Sequence, residues 1–227
     1  MKITDLKKQE DGIILETNKG NLKLQIINES IIRAVYSYQD NFSDPESFMV
    51  LPQSDNETDW SVKELEDHFK LTIPKLGVEI DKKTASFTWR DSDGKLLVEE
   101  PGDGGKELEK IEEDLPKTEE DQEFYSTKLE LDFSDDEAIY GLGQHEEGTL
   151  NYRDEMQYLY QHNMKASMPT IVSTRGYGIL WDTYSLSIFR DNDQKTKKNA
   201  SNLKITPYHG EKIKLLSPDL QSGVLYG

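Results

Sequence analysis

Apolar and polar residues alternate in short runs along most of the chain. Residues 21–26 (NLKLQI) and 69–73 (FKLTI) place an apolar side chain at every second position, and residues 31–36 (IIRAVY) are rich in β-branched and aromatic side chains. Successive side chains of a strand point to opposite faces, so a period of two is typical of a half-buried strand. These runs therefore predict β-strands that each turn one face towards a core.

Turn signals separate the runs. Residues 81–84 (DKKT) and 91–94 (DSDG) are typical of turns on either side of a strand at 86–90, and residues 128–133 (KLELDF) alternate again. Only residues 61–68 have a pattern that also admits a helix. Many short strands at this spacing predict an all-β fold, and specifically a β-sandwich.

One segment has a different composition. Residues 103–123 (DGGKELEKIEEDLPKTEEDQE) are strongly acidic and almost free of large apolar side chains, which predicts a solvated, mobile loop. The chain is otherwise expected to form a single domain over residues 1–227. Residues 223–227 (GVLYG) are a strand-like run at the C-terminus, and we expect the chain to be a piece of a longer polypeptide.

The balance of charge narrows the classes of partner. The chain contains 44 acidic and 27 basic residues, for a formal net charge of −17. Such a surface repels phosphate backbones and anionic lipids, which disfavours nucleic acid and membrane partners, whereas a neutral sugar meets no such repulsion. The chain has no cysteine, and its N-terminus lacks the apolar stretch of a signal peptide. We therefore expect a reducing, cytoplasmic location.

Motifs for metals and cofactors are absent from the sequence. The four histidines, at positions 68, 145, 162 and 209, show no close ligand pairing. Gly141-Leu142-Gly143 lacks the third glycine and the following helix of a dinucleotide site. We expect no metal and no cofactor.

Residues 137–191 hold the densest set of aromatic, amide and imidazole side chains. Aromatic rings stack on sugar faces, and amides both donate and accept hydrogen bonds, so this composition suits a pocket for neutral polyols. The same residue types also occur in sandwich cores and turns. Core packing of Trp181, and capping of a loop by His162 and Asn163, therefore remain open alternatives.

Two motifs resemble glycoside hydrolase family 31, the family of α-glucosidases and α-xylosidases. They are IYGLGQHEEGTLNYR (139–153) and MPTIVSTRGYGILWDTYS (168–185), and residues 77–99 resemble a hairpin of the same family. The resemblance implies an N-terminal β-sandwich of the galactose-mutarotase-like type, which a catalytic (β/α)8 barrel follows in the family. The family's nucleophile motif, Trp-x-Asp-Met-Asn-Glu, is absent here. We therefore expect no catalytic residue in this chain, which would end before the barrel.

The resemblance also implies site residues. In the family, a loop of the N-terminal domain reaches over the barrel mouth and helps to form the sugar subsites. The matching stretch here contains Gln161, His162 and Asn163, which we expect to contact substrate, although several α-glucosidases have an aspartate near the position of Asn163. We expect Gln144, His145 and Trp181 to line the same pocket.

The predicted function is that of a non-catalytic N-terminal domain of a retaining α-glycosidase, resembling the α-xylosidase branch more than the α-glucosidase branch. An α-linked oligosaccharide or glycoside would be the ligand, and the catalytic barrel of the same polypeptide would be the partner. Two alternatives stay open: a free-standing carbohydrate-binding module, and a mutarotase-like sugar epimerase, which would need a general acid and base. Fold alone does not decide between them.

Overall fold

The computed structural model describes residues 1–38, 42, 47, 49–50, 58–110, 125–161, 163–183 and 185–191. Within these ranges the secondary structure is entirely β, which confirms the predicted fold class, and no helix that could cross a membrane is found there. The strands are β1 (Ile3–Gln9), β2 (Gly12–Thr17), β3 (Gly20–Asn28), β4 (Ile31–Ser37), β5 (Ser61–Glu64), β6 (His68–Thr72), β7 (Leu76–Asp81), β8 (Phe87–Asp91), β9 (Leu96–Glu99), β10 (Lys106–Lys110), β11 (Tyr125–Leu129), β12 (Ile139–Gln144), β13 (Met156–Leu159), β14 (Ala166–Ser173), β15 (Gly178–Leu180) and β16 (Ser187–Arg190).

The first nine strands form two antiparallel meanders. One sheet has the order β1-β2-β3-β4 and the other the order β5-β6-β7-β8-β9, so each strand pairs with its neighbour in sequence. Aspartates shape the tight turns. In the turn between β7 and β8 the Asp81 carboxylate accepts hydrogen bonds from the N–H groups of Lys83 and Thr84, both at 2.7 Å. Asp91 accepts two backbone N–H bonds in the turn between β8 and β9, at 3.0 and 2.9 Å.

The inner faces of these sheets share one hydrophobic cluster. On β3, Leu22 and Leu24 are buried, whereas Lys23 between them is partly exposed. On β8, Phe87 and Trp89 are both buried, and their rings meet edge to face with 5.7 Å between centroids. Burying each such side chain contributes about 1.5–3 kcal/mol. Two sheets that close their apolar faces on each other form a β-sandwich.

The later strands join the same core. β14 is the middle strand of the three-stranded sheet β12-β14-β15, while β10–β11 and β13–β16 form two-stranded pairs. Ile139, Ile171 and Ile179, one from each strand of the three-stranded sheet, belong to the hydrophobic cluster of the sandwich. The segment that carries the candidate site is therefore attached to the core by its inner face.

The structure differs from two sequence-based expectations. Residues 61–68, whose pattern admits a helix, contain β5 and the start of β6, joined by a turn in which the Leu65 N–H donates to the His68 carbonyl at 2.9 Å. Residues 106–110, within the predicted acidic loop, form β10, which pairs residue for residue with β11. Residues 103–105 of the predicted loop lead into β10, and residues 111–123 lie outside the described residues.

A buried ion pair accounts for the start of β10. The Lys106 ammonium donates to the Glu100 carboxylate and, at 2.9 Å, to the Ala85 carbonyl, and it lies 3.5 Å from the centre of the Phe87 ring. The Glu100 side chain is fully buried and that of Lys106 is 11% exposed. Burial raises the pKa of Glu100 and lowers the pKa of Lys106, because a site of low polarity disfavours both charges. An acidic composition does not reveal such a pair, which explains why the loop was predicted too long.

Candidate functional site

Leu142 breaks the alternation of β12. Counting from the buried Ile139, alternation would turn Leu142 outward together with Tyr140. Its side chain is instead in the core, 2% exposed, and its backbone φ is +62°. The left-handed conformation costs a residue with a Cβ atom about 1–2 kcal/mol. Burial of a leucine side chain contributes about 1.5–3 kcal/mol and offsets that cost.

Two glycines make the inward turn of Leu142 possible. The pairing of β12 with β14 shifts between Gly141 and Gly143, where Leu142 alone faces residues 168–170, so the extra residues of this β-bulge are on β14. A Cβ atom at Gly141 would lie 2.3 Å from the Thr170 carbonyl oxygen, and one at Gly143 would lie 2.1 Å from the Ala166 carbonyl oxygen. The backbones approach too closely for any side chain at either position. The Gly-Leu-Gly sequence therefore builds this bulge.

The loop between β13 and β14, residues 160–165, contains the predicted sugar contacts. The Gln161 side-chain amide donates to the Ser167 carbonyl at 2.9 Å and accepts from the Ser167 N–H at 3.2 Å. The Ser167 hydroxyl donates to the Tyr160 carbonyl at 2.8 Å. Through these two bonds the Gln161 side chain pairs with the backbone of Ser167 as a neighbouring strand would. Gln161 thus holds the loop closed, and its contact with substrate remains a prediction.

Two further predicted residues lie at this loop. The Asn163 side chain is exposed, has no hydrogen-bond partner among the described residues, and sits on a backbone with φ of +50°, a conformation that asparagine tolerates better than most residues. The exposed Gln144 places its amide nitrogen 3.4 Å from the Met164 carbonyl oxygen. The structure therefore brings Gln144, Gln161 and Asn163 together, whereas His162 lies outside the described residues.

An ion pair neutralises the base of the loop. The Lys165 ammonium donates to the Glu147 carboxylate and lies 5.6 Å from the centre of the Tyr160 ring. This hydrogen bond lowers the pKa of Glu147 and raises the pKa of Lys165, because each charge favours the other. Sequence reasoning did not single out either residue, since no local pattern shows which lysine meets which glutamate.

His145 sits beside the bulge. Its Nε2 atom is 2.7 Å from the Leu142 carbonyl oxygen, and a carbonyl oxygen only accepts, so Nε2 carries the hydrogen. Its Nδ1 atom is buried and has no partner within the described part of the chain. His145 therefore caps the turn that ends β12, close to Gln144 in sequence.

Trp181 lies in a different place. It lines a cleft of about 860 Å³ together with residues 126–133 and 185–191 and the buried Leu142, Ile171 and Ile179. The backbone N–H of Trp181 donates to the Pro169 carbonyl at 2.8 Å. Gln144, His145, Gln161 and Asn163 are not among the residues that line this cleft. The predicted pocket residues thus divide between the loop and the cleft, because Trp181 directly follows β15, an edge strand of the three-stranded sheet.

A buried carboxylate supports the three-stranded sheet. Glu137 is 4% exposed and accepts hydrogen bonds from the Tyr177 hydroxyl at 2.5 Å, from the Ser134 N–H at 3.0 Å and from the Ser173 hydroxyl. Burial, and then the neighbouring carboxylate, raise the pKa of Tyr177 far above its usual value, so the hydroxyl stays a donor. Glu137 was not recognised from the sequence, where it looks like another surface acid.

The chemistry that these groups support is binding. A retaining glycosidase needs two carboxyl groups about 5–5.5 Å apart, one as nucleophile and one as acid/base. Glu147, at the base of the loop, is held by Lys165, and Glu137, at the opposite end of the sheet, is buried and accepts from three donors. No group of three or more metal-binding side chains is found in the described ranges. Exposed amides at the loop are suited to hydrogen bonding with a neutral polar ligand.

The fold and the loop define the class of protein: an all-β sandwich domain with a polar loop at one end. The family model of the glycosyl hydrolase 31 N-terminal galactose mutarotase-like domain matches residues 21–189. The chain belongs to this family of N-terminal domains. The predicted galactose-mutarotase-like fold and the family resemblance are confirmed.

The relatives are much longer than this chain. An α-xylosidase of Saccharolobus solfataricus is 30% identical over 175 residues, which are 73% of this chain and 22% of that protein. The crystal structure of a family 31 α-xylosidase from Xanthomonas citri matches with a TM-score of 0.71 and 26% identity, over 80% of this chain and 19% of that one. An α-xylosidase from a soil metagenome, solved in complex with xylose, matches with a TM-score of 0.72 and 21% identity, over 83% of this chain and 30% of that one.

Proposed function

We propose that this chain is the non-catalytic N-terminal domain of a longer retaining α-glycosidase. In that enzyme it packs against the catalytic (β/α)8 barrel and holds the loop of residues 160–165 at the sugar-binding pocket. α-Xylosides are the proposed substrates in preference to α-glucosides, because the three relatives described above are α-xylosidases and one of them was solved with xylose. A cytoplasmic setting is part of the proposal, since the chain has no cysteine.

The observation that carries the proposal is a concentration of exposed apolar side chains in the part of the sequence that contains the loop. Nine large apolar side chains are exposed among the described residues, and six of them lie between residues 150 and 172. These six are Leu150, Met156, Tyr160, Met164, Met168 and Val172. Two of them, Met168 and Val172, lie on the same strand, β14, and adjoining exposed apolar side chains mark a protein interface.

The outer face of the three-stranded sheet is divided into an apolar area and a polar area. Met168 and Val172 project from the outer face of β14, 55% and 53% exposed, and the partly exposed Leu180 lies beside them on β15. At the end of the same sheet lie the amides of Gln144 and Asn163. This division supports a barrel packed on the apolar face with the sugar at the polar end. There the loop would orient the substrate and leave the chemistry to the barrel.

The first test uses the isolated chain. It should not hydrolyse aryl α-xylosides or aryl α-glucosides faster than a protein-free control, and turnover would contradict the proposal. One wall of a pocket should also bind a xyloside very weakly. Tight binding of xyloglucan fragments by the isolated chain would indicate a free-standing carbohydrate-binding module instead.

The second test concerns the interface in the full-length enzyme. Met168→Asp and Val172→Asp should each lower kcat/KM for an aryl α-xyloside by about tenfold or more, because an unpaired charge in a dry interface is costly. Both variants should also expose the junction after this domain to limited proteolysis. The matched control is Leu65→Asp, at an equally apolar side chain, 43% exposed, in the turn between β5 and β6. Equal effects at all three positions would contradict the proposed interface.

A further inference from the structure

Asp182 is a buried carboxylate at the end of the three-stranded sheet where β14 begins. The backbone bond from Trp181 to Pro169 continues the pairing of β15 with β14 by one residue, and Asp182 comes next, so it lies near Met168. Only 8% of Asp182 is exposed. A carboxylate withdrawn from water is costly unless it accepts hydrogen bonds, so a buried one is normally tied to specific donors.

One donor to this carboxylate comes from a distant part of the sequence. The hydroxyl of Ser47 donates to Asp182 at 3.1 Å, across a separation of 135 residues. The same hydroxyl accepts the backbone N–H groups of Met49 at 3.1 Å and of Val50 at 3.0 Å. These last two bonds are local and shape a turn that begins at Ser47. The bond to Asp182 is long-range, and it fixes where that turn lies on the domain.

The start of β14 therefore has a polar contact on each side. β14 lies between β12 and β15 in the sheet. On the side of β12, Gln144 contacts Met164 of the loop of residues 160–165. On the side of β15, Asp182 holds the turn that begins at Ser47. That turn carries Met49, which is 37% exposed and is one of the exposed large apolar side chains of the domain.

We infer that Asp182 is a positioning residue, which through Ser47 holds Met49 beside β15 so that Met49 extends the apolar surface of Met168 and Val172. The inference rests on the proposed function, in which the catalytic barrel packs on that surface. Ser47 and Met49 lie outside the strands, so the ladder of backbone bonds does not fix their place. A contact residue that is ordered beforehand loses less entropy when its partner packs against it.

Hydrogen exchange of the full chain tests the Asp182–Ser47 bond by itself. Asp182→Ala removes the acceptor of the Ser47 hydroxyl, and the amides of Met49 and Val50 should then exchange at least about tenfold faster. Asp182→Asn keeps a side-chain oxygen that can accept the bond, and it should retain most of the protection. The matched control is Asp136→Ala, at a carboxylate that is 88% exposed at the opposite end of the sheet, and it should leave these amides unchanged. Amides of β7 and β8 should exchange as in the wild type in every variant, which shows that the fold is intact.

Kinetics of the full-length enzyme test the role of Met49. Met49→Asp should lower kcat/KM for an aryl α-xyloside by about tenfold, because it places a charge in the interface. In the Asp182→Ala background, which should itself lower kcat/KM several-fold, the same substitution should cost less than about twofold, because Met49 is no longer held in place. Asp182→Asn should keep kcat/KM within about twofold of the wild type, because the bond to Ser47 is kept.

Three results would overturn the inference. The first is equal exchange of the Met49 and Val50 amides in the wild type and in Asp182→Ala. The second is a cost of Met49→Asp that is the same in both backgrounds. The third is an enzyme that Met168→Asp impairs but that Met49→Asp and Asp182→Ala leave unchanged, which would keep the proposed barrel contact. If Met168→Asp has no effect either, the proposed function fails together with this inference.

Discussion

The hydroxyl of Tyr177 donates a hydrogen bond to the carboxylate of Glu137, with 2.5 Å between the two oxygen atoms. Tyr177 directly precedes β15 and Glu137 precedes β12, and both lie at the end of the sheet where β14 ends, so this bond ties together the two edge strands of the three-stranded sheet. Both side chains are buried, and the carboxylate has two further donors, from Ser134 and Ser173. The sheet that carries the candidate loop therefore rests on a polar anchor in the core.

Removing that hydroxyl should destabilise the domain. We expect Tyr177→Phe to lower the free energy of unfolding by about 1–3 kcal/mol, because the buried carboxylate loses a donor. The matched control is Tyr158→Phe, at a partly exposed tyrosine of β13, and it should change the free energy of unfolding by less than about 0.5 kcal/mol. Urea denaturation of the isolated chain measures both. Equal losses would show that the Glu137 bond contributes nothing specific.

The close approach of β12 to β14 at the bulge can be tested by alanine substitution at two glycines that have the same φ. Gly143 and Gly176 both have φ of +89°, but a Cβ at Gly143 would meet the Ala166 carbonyl, whereas Gly176 has no atom within 4 Å of that position. Gly176→Ala should cost about 1–2 kcal/mol from the left-handed conformation alone. Gly143→Ala should cost about 1–3 kcal/mol more because the backbones must separate. Thermal unfolding compares them, and a Gly143→Ala variant as stable as Gly176→Ala would contradict the close approach.

The Glu100–Lys106 pair predicts a dependence on pH. Lys106→Met leaves a carboxylate buried without its cation and should cost about 3–5 kcal/mol at pH 7, whereas Glu100→Leu/Lys106→Met should restore much of the loss. Burial already raises the pKa of Glu100, and removal of Lys106 raises it further. A raised folded-state pKa stabilises the protein at low pH and loses that contribution as pH rises.

The deficit of Lys106→Met relative to the wild type should therefore shrink as the pH falls from 7 towards about 4.5, near the ordinary pKa of glutamate. Urea denaturation at several pH values measures this trend. A deficit that stays constant, or one that grows on acidification, would show that Glu100 is not the group responsible.

Gln161 should act on substrate binding through the shape of its loop. In the full-length enzyme, we expect Gln161→Ala to raise KM for an aryl α-xyloside several-fold with a smaller change in kcat, since both bonds to Ser167 are lost. Gln161→Glu keeps the acceptor for the Ser167 N–H and loses the donor, so its KM should lie between those of the wild type and Gln161→Ala. A Gln161→Glu variant that is worse than Gln161→Ala would favour direct contact between Gln161 and the sugar.

The strands with one buried face could be predicted from the sequence. Residues 21–26 lie in β3 and residues 31–36 in β4, because alternation follows directly from which face meets the core. The motif at 139–153 likewise identified the family, which the family model confirms. A local pattern is sufficient where one face is apolar along the whole strand.

Features that depend on distant partners could not be predicted in this way. Leu142 should face outward by alternation, and only the bulge against β14 turns it inward. The amide of Gln161 could as well have faced solvent, and its bonds to Ser167 depend on how β14 begins. β10 was missed because its buried lysine looks like part of a charged loop. In each case a tertiary contact overrides the local signal.

The inward turn of Leu142 also changes the surface that β12 presents. Tyr140 and Gln144 are the outward side chains on either side of it, and the three residues between them, two of them glycines, send no side chain outward. About 10 Å of strand therefore shows only peptide planes to whatever lies against it. A flat ring or a bulky side chain can rest in that indentation at van der Waals distance, and because its walls are main chain, its shape does not depend on any rotamer.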